Sequence, residues 1–213
     1  MILKCIFQPG VTTFICAPGK GQSAKIAKQK VEEILDKFPL LRKELKDERY
    51  NSGADYLKME FKNGSIFDVV AALDSERGGR RNAGLIDEVR DHDGTLLNEV
   101  VLPLLNVNRR TKAGLVNSNE PHQAQFFLTS AGQKASYAYE KLVELYAMQI
   151  YNPKAAFVWG CDYKVPMMHG LLPKNYLHEI KLSSTYADDS FARELTNLKL
   201  TLNFLKCGKL LRV

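Results

Sequence analysis

Apolar and polar positions alternate along this chain in two rhythms, a period of two and a period between three and four. Thr12 to Ala17 (TTFICA) is a short run of β-branched, aromatic and apolar residues between Pro9-Gly10 and Pro18-Gly19, and reads as a buried strand. From Gln22 to Phe38 the apolar positions Ala24, Ala27, Val31, Ile34, Leu35 and Phe38 recur at helical spacing, with lysines and glutamates mostly outside the stripe. Pro39 ends that helix. Leu57, Met59 and Phe61 then alternate with Lys58, Glu60 and Lys62, and Asn63-Gly64 predicts a two-residue hairpin turn leading into Ile66 to Ala71. Ser75 to Arg81 is too rich in Gly and Arg for regular structure, whereas Ala83 to Ile86 is a short buried strand that stops at Asp87-Glu88. A helical stripe follows at Leu96, Leu97, Val100, Val101 and Leu104, then a buried strand at Phe126 to Leu128, then a long helix carrying Tyr139, Leu142, Val143, Tyr146 and Ile150. Strands alternating with helices in this order predict a mainly parallel α/β sheet, with the hairpin as an antiparallel edge or insertion. From Trp159 to Tyr186 the pattern is irregular and punctuated by Pro166, Gly170 and Pro173, so the sheet is expected to end there, with a last helix beyond it.

Composition narrows the class without choosing a function. The 213 residues are 45% hydrophobic and 25% charged, which suits a globular domain and excludes collagen, coiled coil and disorder. Apolar runs such as Val100 to Leu105 fall far short of the roughly 20 residues that cross a bilayer, and the first residues lack a small-residue cleavage pattern. Cys5, Cys16, Cys161 and Cys207 are scattered without metal-ligand spacing, as expected of four buried thiols in a reducing cytosol. The net charge of +6 is a weak pointer to a polyanionic partner. Its distribution says more, because residues 51–100 carry ten acids against six bases.

Four motifs could carry chemistry. Pro18-Gly19-Lys20-Gly21 stands between a strand and a helix, where backbone amides can cradle phosphate, but it is not G-x-x-x-x-G-K-[ST] and reads as a plain strand-to-helix turn. Ala83-Gly84-Leu85-Ile86-Asp87-Glu88 delivers two carboxylates to the C-terminal edge of a parallel sheet, where such folds bind ligands. In a Walker B arrangement Asp87 would hold a magnesium ion and Glu88 would orient and deprotonate the attacking water. Thr129-Ser130-Ala131-Gly132, after the next strand, could sense a γ-phosphate, or could simply cap a helix. Arg77-Gly78-Gly79-Arg80-Arg81 puts three arginines on a glycine-rich loop, suited to neutralising transition-state charge on a phosphoryl group or to clamping DNA phosphate. The four histidines show no ligand spacing and receive no catalytic role.

Taken in order, these segments resemble the ATPase domain of phage terminase large subunits, the motors that package viral DNA. The likeness covers about residues 5–194, from Pro9-Gly10 and Ile15-Cys16-Ala17-Pro18-Gly19-Lys20-Gly21-Gln22-Ser23-Ala24 through Phe61-Lys62-Asn63-Gly64-Ser65, Glu76 to Asn82 and Leu85-Ile86-Asp87-Glu88 to Phe127-Leu128-Thr129-Ser130-Ala131-Gly132 and Asp188 to Glu194. It implies a RecA-like P-loop NTPase core, incomplete at its N-terminus, over residues 1–160, with residues 161–213 as an irregular linker and C-terminal helix leading towards an absent nuclease domain. It implies ATP and magnesium as cofactors, Asp87 as the magnesium ligand, and Glu88 as general base. Arg77, Arg80 and Arg81 fall in the arginine-bearing loop, and Thr129, Ser130 and Gly132 in the coupling element.

The implied partners are double-stranded DNA, the terminase small subunit, the portal and further copies of the chain, in the cytoplasm of a host cell and without a membrane. The resemblance also places the Walker A loop and its strand before Met1, and residues 195–213 depart from the family as a frameshift would. The expected product is a truncated prophage form, marginally stable and unable to hydrolyse ATP unaided. Two alternatives stand beside this reading: a non-catalytic DNA-binding or assembly protein derived from that domain, and another helicase-like P-loop ATPase.

Overall fold

The computed structural model describes residues 1–111, 113–120, 122–130, 135–173 and 175–182. The chain divides into two compact units, Met1–Leu128 and Thr129–Val213. The first is built on one six-stranded sheet of order β2-β3-β4-β1-β5-β6. Its strands are β1 (Thr12–Ala17), β2 (Asn51–Ser52), β3 (Leu57–Glu60), β4 (Ile66–Ala71), β5 (Ala83–Ile86) and β6 (Ala124–Phe127). β4, β1, β5 and β6 are parallel, and β3 and β2 continue the sheet antiparallel beyond β4. The expected hairpin at an antiparallel edge is therefore present.

β1 runs through the middle because both of its faces are apolar: every residue from Thr13 to Ala17 is buried. Alternation sends Ile15 to one face and Phe14 and Cys16 to the other. Ile15 joins a core with Ala24, Ala27, Val31 and Leu35 of α2 (Lys20–Lys37) and with Met59, Phe67 and Val69 of the hairpin strands. α2 buries the expected stripe at Ala24, Ala27, Val31 and Leu35, but Phe38, expected on the same stripe, caps the helix end and is 65% exposed, because the helix stops where Pro39 opens a 3-10 turn. A short α1 (Ile2–Phe7) precedes the sheet and buries Cys5 against the same core. Cys5 and Cys16 are buried and Cys161 is only partly so. Burial, aided by the Glu76 carboxylate, pushes the Cys16 thiol up to about 12. Cys207 lies outside the described residues.

Three local expectations are corrected. The hairpin turn is a three-residue loop and not a two-residue one. Phe61 N–H donates to Ser65 O and Gly64 N–H to Phe61 O, and within Asn63-Gly64 only Gly64 has positive φ, at 84°. This is a type I turn closed by a left-handed glycine. The helix at Leu96–Leu104 is not one α-helix: α3 (Gly94–Leu96) widens into a π segment, Leu97–Val101, and tightens into a 3-10 turn, Leu102–Leu105. Pro103 is the physical cause, because it has no N–H for the carbonyl of Glu99 and its ring crowds that turn. The stripe is nonetheless buried at Leu97, Val100, Val101 and Leu104. Finally, β6 is not a buried strand. As the last strand of the sheet it leaves Phe126 and the following Leu128 about half exposed, at 46% and 50%.

In the second unit, α4 (Tyr137–Tyr151) forms as expected, capped by the Ser136 hydroxyl accepting from Tyr139 N–H. Two short helices, α5 (Lys164–Met168) and α6 (Tyr176–Leu182), occupy the stretch expected to be irregular. Pro166 falls in the first turn of α5, where a missing N–H costs little. The expected C-terminal helix beyond residue 182 lies outside the described residues.

Candidate functional site at the C-terminal edge of the sheet

β5 lies between β1 and β6, so the residues that follow it emerge at the C-terminal edge of four parallel strands. Asp87 N–H still donates to Cys16 O at 2.8 Å, and the chain then reverses at Glu88, whose backbone is left-handed with φ 50° and ψ 49°. That conformation costs a non-glycine residue about 1 kcal/mol, so the surrounding bonds must hold it. Glu88 N–H donates to Asp87 Oδ1 at 3.0 Å, Val89 N–H to Leu128 O at 3.2 Å, and Asp91 N–H to Glu88 O at 2.9 Å. Val89, buried to 1% exposure, plugs the turn into the core. The two carboxylates are thus fixed side by side on a braced reversal.

Two residues that spacing did not single out complete the turn. His92 Nε2–H donates to the Asp87 carbonyl at 3.0 Å, and Arg90 Nε lies 3.5 Å from Asp91 Oδ1 and 3.9 Å from Glu88 Oε2. Burial, against weaker pull from the Asp87 carbonyl and from Asp91, moves the His92 pKa below the ordinary value of 6.5. The unfolded chain then binds the proton more readily than the folded one. Stability is therefore expected to be intact above about pH 6.5 and to fall as pH drops through and below it. Urea titrations of wild type and His92→Gln between pH 5 and 8 check this: the variant should lose that segment of the pH dependence, and identical profiles would reject it.

The Pro18–Gly21 turn behaves as a structural connection. Ala17 N–H donates to the Ser23 hydroxyl at 2.7 Å, and that hydroxyl donates to Gly19 O at 3.1 Å. Lys20 Nζ is paired with Glu76 at 2.8 Å, which raises the lysine pKa through that hydrogen bond. A turn whose lysine is held by Glu76, and in which Gly21 stands where a P-loop has its hydroxyl, does not fit nucleotide phosphates as a P-loop does.

The arginine loop spans both edges of the sheet. β4 and β5 run parallel to β1, so the connection between them must return from the C-terminal edge to the N-terminal one. Glu76 marks the first end, beside Lys20. Asn82 marks the second, donating its N–H to Thr12 O and accepting from Thr12 N–H. Arg77 pairs with Asp74 at 2.9 Å and reaches the Glu99 carbonyl at 3.2 Å, the acceptor that Pro103 cannot serve. Arg81 makes a two-pronged pair with Asp68 of β4, both side chains less than a fifth exposed. Arg81 and Asp87 are six positions apart along extended chain, about 20 Å. The structure therefore does not bring Arg80 or Arg81 to the acidic edge of their own chain. Arg80 is exposed and, among the described residues, has no ion-pair partner.

Thr129 and Ser130 open the second unit, with the Thr129 hydroxyl donating to Ser130 O at 3.0 Å; Gly132 lies outside the described residues. Among the described residues no three His, Cys, Asp or Glu side chains are grouped to hold a metal. Magnesium would fit here as it does in many nucleotide sites, on one carboxylate plus oxygens from the ligand.

A central parallel block with chemistry-bearing residues at its C-terminal edge, and an antiparallel flank, define a RecA-like α/β fold. A similar fold is found in a phage large terminase. The structure of the large terminase from a thermophilic bacteriophage superposes with a TM-score of 0.58 at 14% identity, covering 90% of this chain and 41% of that one. The large terminase ATPase domain of Thermus phage P74-26 is 16% identical with a TM-score of 0.39, covering 74% of this chain and 80% of that one. No family model and no curated protein matches the sequence. This chain spans about two fifths of the length of the first of these terminases, 41%. Among the described residues no helix is long and apolar enough to cross a membrane.

Proposed function

We propose that this chain is ATPase-core material of a phage terminase large subunit, from a motor that moves double-stranded DNA into capsids at the expense of ATP. The observation that carries the reading is the braced Asp87-Glu88 pair at the C-terminal edge of a RecA-like sheet. Asp87 Oδ1 is used by Glu88 N–H, which leaves Oδ2 for magnesium. Magnesium, when bound there, would neutralise charge on the nucleotide's phosphates. Glu88 would orient water and take its proton on the side-chain carboxylate. Arg77 is the arginine of the loop retained for the phosphoryl group, and Thr129 to Gly132 the coupling element. The small subunit, the portal and further copies of the chain are the partners this reading implies.

The carboxylates fit magnesium and water, while the Pro18–Gly21 turn does not fit the phosphates, so the chain unaided is expected to release no phosphate from MgATP above background. A chain with a terminase strand and G-x-x-x-x-G-K-[ST] loop fused ahead of Met1 is expected to turn over. Glu88→Gln in that fusion should abolish release, by about a thousandfold or more, and leave MgATP binding intact. Equal turnover in both fusions would remove Glu88 from the role of base. A second reading, a non-catalytic DNA-binding protein, is favoured by the closed Lys20–Glu76 contact. It predicts DNA affinity that ignores ATP and a fusion that stays inactive.

A further inference from the structure

At the sheet edge opposite Asp87 lies an open groove of about 460 Å³, lined by Arg80, Asn106, Val107, Asn108, Arg110, Val116 and Gln123. It contains two arginines, three carboxamides and no acid. Arg109, the neighbour of Arg110, is clamped to Glu120 and also donates to Pro9 O at 2.8 Å. Both members of that pair are nearly buried, with 12% and 8% of their side-chain surface exposed. Asn82 Nδ2 donates to Val107 O at 3.0 Å, tying the groove wall to the start of β5. Gln123, just before β6, holds a left-handed φ of 56° that sets its carboxamide 3.4 Å from Asn108 Oδ1. The wall is therefore built and braced, while the two cations facing the groove have no ion-pair partner among the described residues.

We infer that this groove anchors backbone phosphates of nucleic acid. Two guanidinium forks with amide donors between them match phosphate oxygens in charge and geometry. A free nucleotide is the poorer occupant, because the lining has no aromatic side chain on which its base could stack and the groove is open rather than enclosed. The acidic pair stands about 20 Å away along β5, so the groove is a site separate from the proposed ATP chemistry. The inference takes from the proposed function only the kind of polyanion, double-stranded DNA.

The test measures affinity of the full chain for a fluorescent DNA duplex as a function of salt. Arg80→Gln with Arg110→Gln is expected to shallow the slope of log affinity against log salt by about 1.8. At 0.1 M salt that is a loss of roughly 60-fold, the same for any duplex sequence. Arg42→Gln with Arg49→Gln removes the same charge from exposed positions elsewhere and is expected to leave the slope nearly unchanged. If the groove pair is no more affected than this control, or if the wild-type chain binds no duplex at 50 mM salt, the inference fails. ATP and inorganic tripolyphosphate serve as competitors. Displacement of duplex only at concentrations where their ionic strength accounts for it supports the inference, whereas displacement at micromolar levels would make the groove a small-anion site and overturn it. Should the double arginine variant misfold by circular dichroism, Asn108→Ala with Gln123→Ala tests the same wall and should weaken binding at least threefold; unaltered affinity would count against the groove. The salt slope is read on the chain without nucleotide or magnesium, which separates this outcome from any failure of the proposed ATP site.

Discussion

Gly84→Val is expected to remove a large share of the stability of the first unit, costing about 3 kcal/mol or more. Gly84 lies opposite Phe14 in the β1–β5 register, and the Phe14 ring occupies the space above it. A methyl group at residue 84 would sit 2.3 Å from Phe14 Cζ and 2.5 Å from Cε1, far inside contact distance. Phe14 has no exposed surface and stands in the central strand, so the ring has nowhere to move. Overpacking of this kind costs about 1–3 kcal/mol for smaller insertions, against a typical total of about 5–15 kcal/mol. Urea unfolding of wild type, Gly84→Val, Phe14→Leu and the double variant measures it. The double variant should recover part of the loss, because the two positions share one space. A Gly84→Val midpoint equal to wild type would show that the sheet yields there.

Arg81→Met is the second large effect, about 3 kcal/mol of destabilisation, because it strands the Asp68 carboxylate inside the sheet without its cation. Burial already pushes the Asp68 pKa above its ordinary 3.8, and Arg81 is the chief opposing pull. Removing Arg81 moves the pKa further up. The folded variant then holds a proton that the unfolded chain releases, so its stability falls as pH rises from about 4 and is partly recovered on acidification. Adding Asp68→Asn to Arg81→Met should restore much of the loss at neutral pH and flatten the pH dependence. A single variant with wild-type stability at pH 7 would mean that solvent reaches the carboxylate and the pair is not structural.

The strands and their succession along the chain were largely legible because each parallel strand is a short apolar run near turn residues, and α2 keeps its period over five turns. What failed was anything decided by a partner far along the chain. The partial exposure of Phe126 follows from β6 lying at the edge of the sheet, and no local pattern reveals which strand comes last. The π segment was readable in principle, since Pro103 sits inside the stripe. Within the site, Asp87 and Glu88 were visible as acids ending a strand, but the His92 and Arg90 contacts depend on the reversal at Glu88. Asp68 was a weaker signal: an acid inside the apolar strand Ile66–Ala71 needs a cation, yet nothing in its neighbourhood names Arg81. The three loop arginines looked equivalent. The crossing from one sheet edge to the other is what separates Arg77 from Arg80 and Arg81.

The edge position of β6 also governs how the molecule behaves in a crowded solution. Ala124-Gln125-Phe126-Phe127-Leu128 carries no charge and no proline, and two of its large side chains face water. Proteins usually protect such edges with a lysine, a bulge or a cover, because a bare apolar strand recruits its like from other chains. Nothing in this five-residue segment supplies that gatekeeper. Solubility is therefore the property most exposed to selection at this end of the sheet, and it sets the concentration at which the chain stops behaving as a single particle.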